Sequence, residues 1–205
     1  MVFRAIVSLI APPLCAVCAE NCAAHDTICG ACARQIAAHS PLSLTIPGVD
    51  EGWAAASYQG AGRGLVTALK FGKRLALAAV AARAIVRAIP DGVLDAGTLV
   101  PVPADPWRLR IRGFDPAAMI AADLAPLLDL PLSHCLARPH RRRQVGQAQA
   151  QRLTSELGVR TITAAPSRPI LIDDVVTTGA TLAACAGALR QAGSGRVLAL
   201  AFARA

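Results

Sequence analysis

Aromatic side chains are scarce: four Phe, two Trp and one Tyr make up 3% of the 205 residues. A protein that grips bases by stacking presents a series of exposed rings. So few rings argue against a stacking platform, and any contact with nucleic acid would be mostly electrostatic and salt-sensitive. Long apolar runs are missing as well. No stretch approaches the roughly 18 residues that a membrane-spanning helix needs, although 54% of the chain is hydrophobic. Acids are outnumbered, 13 against 21 Lys and Arg, for a formal net charge of +8. The deficit is local: from Leu130 to Ser155 there is no acid, while Arg138, Arg141, Arg142, Arg143 and Arg152 fall in that stretch. Such a segment either seeks an anion, nucleic acid or polyphosphate, or forms a solvated basic loop. Internal repeats and low-complexity tracts are absent.

What is present is aliphatic. Ala, Val, Leu and Ile dominate, which suits α/β packing, where buried strands read as continuous apolar runs. The length accommodates one sizeable domain, or a small module plus one domain. The opening "MVFRAIVSLIAPPLCAVCA" imitates a secretory signal, but Pro12-Pro13 breaks its apolar stretch. A cleavage near Ala19 would also split the cysteines that follow. The expectation is a short amphipathic helix packed on the body of a cytoplasmic protein.

Five of the seven cysteines fall within eighteen residues, and four of them form C15-x2-C18-x10-C29-x2-C32. Two Cys-x2-Cys pairs supply the four thiolates of a closed, structural tetrahedral Zn²⁺ site. Cys22 and His25 are spare donors, either of which can replace a ligand. The competing reading is a disulfide framework, which needs an oxidising compartment that nothing else in the chain supports. Cys185, on an Ala-rich segment, reads as a small core residue.

Residues 41–49 read as a connector, dividing a module (1–48) from a main domain (49–205). "GWAAASYQGAGRGLVTALKFGKR" offers a strand, a Gly-rich turn and a helix ending on Lys70. Gly60, Gly62 and Gly64 match neither the dinucleotide-binding nor the P-loop spacing. A helix follows over 75–89, stopped by Pro90-Asp91-Gly92. The next unit is a strand over 98–102, a loop carrying Arg108, Arg110, Arg112 and Gly113, and a helix capped by Asp115 with Pro116 in its first turn. "RPILIDDV" is a second buried strand, 181–192 a second helix, and "GRVLALAFARA" closes the sheet. Strands alternating with helices indicate a parallel sheet.

The stretch "ILIDDVVTTGATL" concentrates the chemistry. Ligands of parallel sheets sit at the carboxyl ends of strands, and Asp173 and Asp174 arrive there. The loop behind them leads into a helix N-terminus, whose free N–H groups favour an anion. Thr177, Thr178 and Thr181 add hydroxyl donors, and Gly179, ahead of Ala180, lets the backbone approach closely. The carboxylates suit hydroxyl donors or, through water, Mg²⁺. A sugar bearing a phosphate and a free diol satisfies both halves. A Walker B strand is the rival, but its partner P-loop is missing.

Those residues resemble the PRPP-binding motif of type I phosphoribosyltransferases, and the whole chain is similar to the ComF family of bacterial phosphoribosyltransferase-like proteins. The similarity rests on the paired cysteines and on Leu69-Lys70-Phe71. It also includes Pro101-Val102-Pro103, Arg108, Arg112-Gly113-Phe114 and Arg142-Arg143-Gln144. Where the family usually continues Arg-Gly-Phe with Asn-Gln, this chain has Asp115-Pro116, an added negative charge at that turn. The resemblance implies a type I phosphoribosyltransferase-like parallel sheet flanked by helices, with a small N-terminal Cys₄ zinc module. It implies a Mg²⁺-dependent transfer of phosphoribose to an unidentified acceptor. Asp173 and Asp174 would be catalytic and hold the ribose hydroxyls. Residues 177–181 would hold the 5-phosphate, with Arg108, Arg112 and Lys70 facing pyrophosphate and 138–152 forming a flap. The alternative is a non-catalytic PRPP- or nucleotide-sensing accessory of DNA uptake. Its partner would be a protein or single-stranded DNA on the basic segment.

Overall fold

The apolar run that leads to Asp173 and Asp174 belongs to an inner strand of a five-stranded sheet, and the strand continues through the two acids to Val176. The computed structural model describes residues 13–23, 25–38, 40–90, 92–94, 96–139 and 158–205. The expected N-terminal amphipathic helix and most of the Arg-rich flap lie outside them. The cysteine segment leads into helix α1 (Gly30–Ala37) and the short strand β1 (Leu42–Ser43). Strand β2 (Glu51–Ser57), helix α2 (Gly60–Lys70) and helix α3 (Leu77–Ala88) follow. Next come β3 (Thr98–Pro101), α4 (Pro106–Arg112), α5 (Pro116–Leu128) and β4 (Leu136–Ala137). The chain ends with β5 (Arg160–Thr161), β6 (Pro169–Val176), α6 (Ala180–Gln191) and β7 (Leu198–Arg204).

The sheet order is β1-β2-β7-β6-β3. Its four longer strands are parallel, as the alternation of elements predicts, while β1 adds to the edge antiparallel. Part of the stretch read as a connector therefore extends the sheet, with Leu44 and Ile46 buried just beyond β1. The C-terminal strand does not close an edge. β7 lies between β2 and β6, and its run "LALAFA" is buried throughout, as suits a central strand whose faces are both covered.

Alternate side chains of the inner strands enter different layers. Ile170, Ile172, Leu198, Leu200 and Phe202 pack with Leu65, Leu69, Leu77, Ile85 and Leu124 from α2, α3 and α5. Leu171, Ala199 and Ala201 pack on the other face with Leu182, Cys185 and Leu189 of α6. Cys185 is thus a core residue, and Cys135 joins it in the same layer. The helix of 75–89 forms over nearly its expected length.

Two local expectations change. The glycines at 60, 62 and 64 lie within α2 rather than in a turn before it. A Cβ on Gly62 would sit 2.3 Å from the Ser57 carbonyl oxygen, and one on Gly64 would sit 2.7 Å from Val17 Cγ1. The small residues let α2 start hard against the end of β2 and press on the cysteine segment. The Arg-bearing loop after β3 is also helical. Asp105 caps it by accepting from the amides of Trp107 and Arg108, Pro106 starts it, and Gly113 ends it in the left-handed conformation (φ 83°). Asp115 caps α5 as expected, accepting from the amides of Ala117 and Ala118.

Gly62→Ala is expected to destabilise the fold by about 1–3 kcal/mol, the usual cost of overpacking. Urea unfolding measures it, and an unchanged midpoint would show that α2 does not need this approach.

Candidate functional site

Because β3 and β6 run parallel and adjacent, their carboxyl ends open onto one surface. Val102 donates its amide to the Ile172 carbonyl at 2.9 Å, which keeps the two strand ends in step. A cavity of about 320 Å³ lies over this edge, within the size range of small-ligand sites.

The cavity gathers Asp173, Asp174, Thr177, Thr181, Arg108, Arg112 and Lys70 from three separate stretches of chain. Thr178, Gly179 and Ala180 do not line it. Gly179, in the left-handed region (φ 75°) and buried beside Ile46, turns the chain into α6, while Thr178 and Ala180 are exposed at the turn. The Ala180 amide donates to Thr178 Oγ1 at 3.4 Å, and α6 has neither a side-chain cap nor an acid in its first turn. An anion would meet no competing carboxylate at that terminus.

The acidic half is under electrostatic tension. Asp174 is buried, and its Oδ2 stands 2.8 Å from the Lys70 ammonium at the end of α2. Asp173 accepts the amide of Asp174 at 2.8 Å. Burial and the neighbouring Asp174 charge raise the Asp173 carboxyl well above the usual carboxylate range. Lys70 is therefore engaged with an acid rather than held free for pyrophosphate.

The basic half comes mainly from α4, a helix with no buried residue. Arg108, Arg112 and Arg138 face the cavity. The Arg112 guanidinium lies 5.9 Å from the ring centres of both Phe71 and Phe114, which hold it by cation–π contact. Neither Arg108 nor Arg112 has an ion-pair partner among the described residues. Burial works against ionisation of Asp105, but the amides of Arg108 and Trp107 and the charges of Arg138 and Arg108 hold its carboxyl low.

Asp115 lines the same cavity, yet it is not a free charge. Beyond capping α5 it accepts the Ala104 amide at 2.9 Å. Burial raises its carboxyl above the usual range despite these bonds, with Asp174 adding to the rise. Asp115 thus braces the loop after β3. Sequence reasoning did not single out Tyr58 or Asp105, both of which also line the cavity. Tyr58 follows the end of β2, and that position at a parallel strand's carboxyl end was the available signal.

In the N-terminal segment, the sulfurs of Cys15, Cys18, Cys29 and Cys32 all lie within 4.8 Å of one another. Tetrahedral zinc–thiolate bonds of about 2.3 Å place sulfurs about 3.8 Å apart, so modest contraction suffices to hold the ion. Cys22 and His25 are not part of this cluster; the Cys22 thiol donates instead to the Asp26 carbonyl. Burial opposes ionisation of Cys15, but the amides of Cys29, Cys18 and Val17 outweigh it and bring the thiol down to about 6. Cys32 is pushed up by burial and by its neighbouring thiols. Four thiols this close together could hold a structural zinc ion.

No protein-family model matches the chain. A stretch of 97 residues is 38% identical to the competence protein ComFC of Bacillus subtilis (strain 168). The match covers 46% of this chain and 39% of that protein. No helix of the described residues is long and apolar enough to cross a membrane.

A carboxyl that keeps its proton longer in the folded than in the unfolded chain makes stability fall as pH rises through the window between its ordinary and raised values. Asp173 is such a group. Asp173→Asn should therefore raise the ligand-free Tm at pH 7 by roughly 2–4 °C, the shift that about 1 kcal/mol produces in a domain of this size. The gain should vanish towards pH 3, where both forms are neutral. A Tm at pH 7 equal to wild type would contradict the tension assigned to this pair.

Proposed function

We propose that the chain belongs to the ComF family and binds PRPP with Mg²⁺ in the 320 Å³ cavity, acting as a phosphoribosyltransferase on an unidentified acceptor. The observation that carries this reading is the division of one cavity into an acidic floor and a cationic, hydroxyl-bearing wall. A sugar with a diol on one side and phosphates on the others complements that division. The ComFC match supports the family.

In this reading Asp173 and Asp174 accept from the ribose hydroxyls, and the turn 177–181 with the α6 N-terminus holds the 5-phosphate. Arg108 and Arg112 stabilise the charge that develops on pyrophosphate as its bond to C1 breaks and a bond from the acceptor nitrogen forms. The protein's part is positioning and charge stabilisation. Lys70 keeps one carboxylate of the pair neutralised, so the residues fit Mg²⁺ held through Asp173, water and the ligand's oxygens rather than by both acids. The ion, when bound, neutralises the pyrophosphate oxygens. The Cys₄ cluster holds a structural Zn²⁺ in a cytoplasmic protein.

A second reading is a non-catalytic PRPP- or nucleotide-responsive accessory of DNA uptake, acting through a protein or single-stranded DNA on segment 138–152. The name of the Bacillus relative favours it.

Calorimetric titration of Mg·PRPP should show saturable binding to wild type. Asp173→Asn/Asp174→Asn should abolish it, and Arg112→Ala should weaken it by about tenfold, the loss of one charge-assisted contact. Binding that survives the double substitution would overturn the site. Pyrophosphate release across a panel of nitrogen acceptors then separates the two readings.

Zinc analysis of the purified protein should give about one ion per chain, released when the thiols are modified. Cys32→Ser should lower both zinc content and thermal stability. A protein that is stable and metal-free as purified would exclude the structural zinc.

A further inference from the structure

A second cavity, of about 340 Å³, lies between the cysteine module and α3 and shares no lining residue with the first. Its two sides differ in chemistry. Ile28, Ala33, Ile36, Val80 and Ala84 give it an aliphatic floor without an aromatic ring. The exposed Arg83 and Arg87 of α3 also line it, together with His25 and Thr27 of the module and Asp26 as the one acid in the lining.

Arg83 and Arg87 are one helical turn apart, so both guanidinium groups project from the same face. Like charges at that spacing repel. Neither has an ion-pair partner among the described residues to offset the repulsion. An anion between them would remove it. Two guanidinium forks suit a phosphate, which has oxygens for both, better than a carboxylate, which one fork saturates. The floor has no ring on which a base could stack, but it offers aliphatic surface to a short carbon chain.

We propose that this cleft is a second ligand site, separate from the PRPP reading, for a phosphate monoester carried on a short aliphatic body. Arg83 and Arg87 bind the phosphate, and the floor between α1 and α3 binds the carbon chain. Because the ligand touches both the module and the main sheet's helices, its binding stabilises their packing against each other.

The test uses the full chain carrying Arg108→Ala and Thr181→Ala, so that phosphate in the first cavity does not obscure the result. Calorimetry with n-butyl phosphate should show saturable binding, at least about fivefold tighter than inorganic phosphate because carbon is buried. Adding Arg83→Ala/Arg87→Ala should weaken butyl phosphate by at least about tenfold. Arg83→Lys/Arg87→Lys, which keeps the charge but loses the forks, should weaken it less. Both arginines are exposed, and thermal unfolding checks that these variants fold. No saturation at millimolar butyl phosphate, or an affinity indifferent to the arginines, would overturn the site. Equal affinity for inorganic phosphate would overturn the aliphatic body. Mg·PRPP binding to wild type is read separately, so neither result decides the other.

Discussion

Two adjacent carboxylates, Asp173 and Asp174, sit two residues before the end of the inner strand β6 and are costly to keep charged there. Desolvation penalises each charge, and each charge penalises its neighbour. Relief comes from the Lys70 ammonium, paired with Asp174 and felt by Asp173, and from the Asp174 amide against Asp173. Much of the surrounding architecture bears on the first. Lys70 is the last residue of α2, and α2 can begin beside Ser57 because Gly62 has no side chain. A backbone approach of one helix start is thereby linked to the charge balance of a pocket at its other end.

The cavity's opposite wall is organised by different forces. Helix α4 buries nothing and is held by its caps, Asp105 at one end and Gly113 at the other. Such a helix does little for the core; what it does is carry Arg108 and Arg112 to the pocket. Two rings then fix the Arg112 guanidinium without neutralising it, whereas a carboxylate partner would have cancelled the charge. Asp115 shows the opposite economy. Its carboxylate is taken up by three backbone amides, so a negative charge in a basic wall becomes a structural brace.

The cysteine module is packed onto the main core rather than hung from it. Cys15, Cys32 and Ile36 belong to the same apolar cluster as Leu65 and Leu69, and Gln35 accepts the Ala61 amide at the start of α2. A metal in the cluster would therefore stabilise the helix that supplies Lys70 as well as the module itself.

The parallel sheet, the apolar strand run leading to Asp173 and Asp174, the cap at Asp115 and the clustered cysteines follow from sequence alone. Each depends on local rules: apolar runs, capping oxygens and Cys-x2-Cys spacing act over a few residues. The position of β7 between two partners, the antiparallel edge β1 and the helical glycines at 60–64 do not follow in this way. They depend on which surfaces meet across the sheet and on how close a backbone must come. The pairing of Lys70 with Asp174, more than a hundred positions away, is of the same kind. Sequence marks both residues as charged, but only the folded chain decides which charge each one faces, because Coulomb energy depends on distance through space and on the water removed between them.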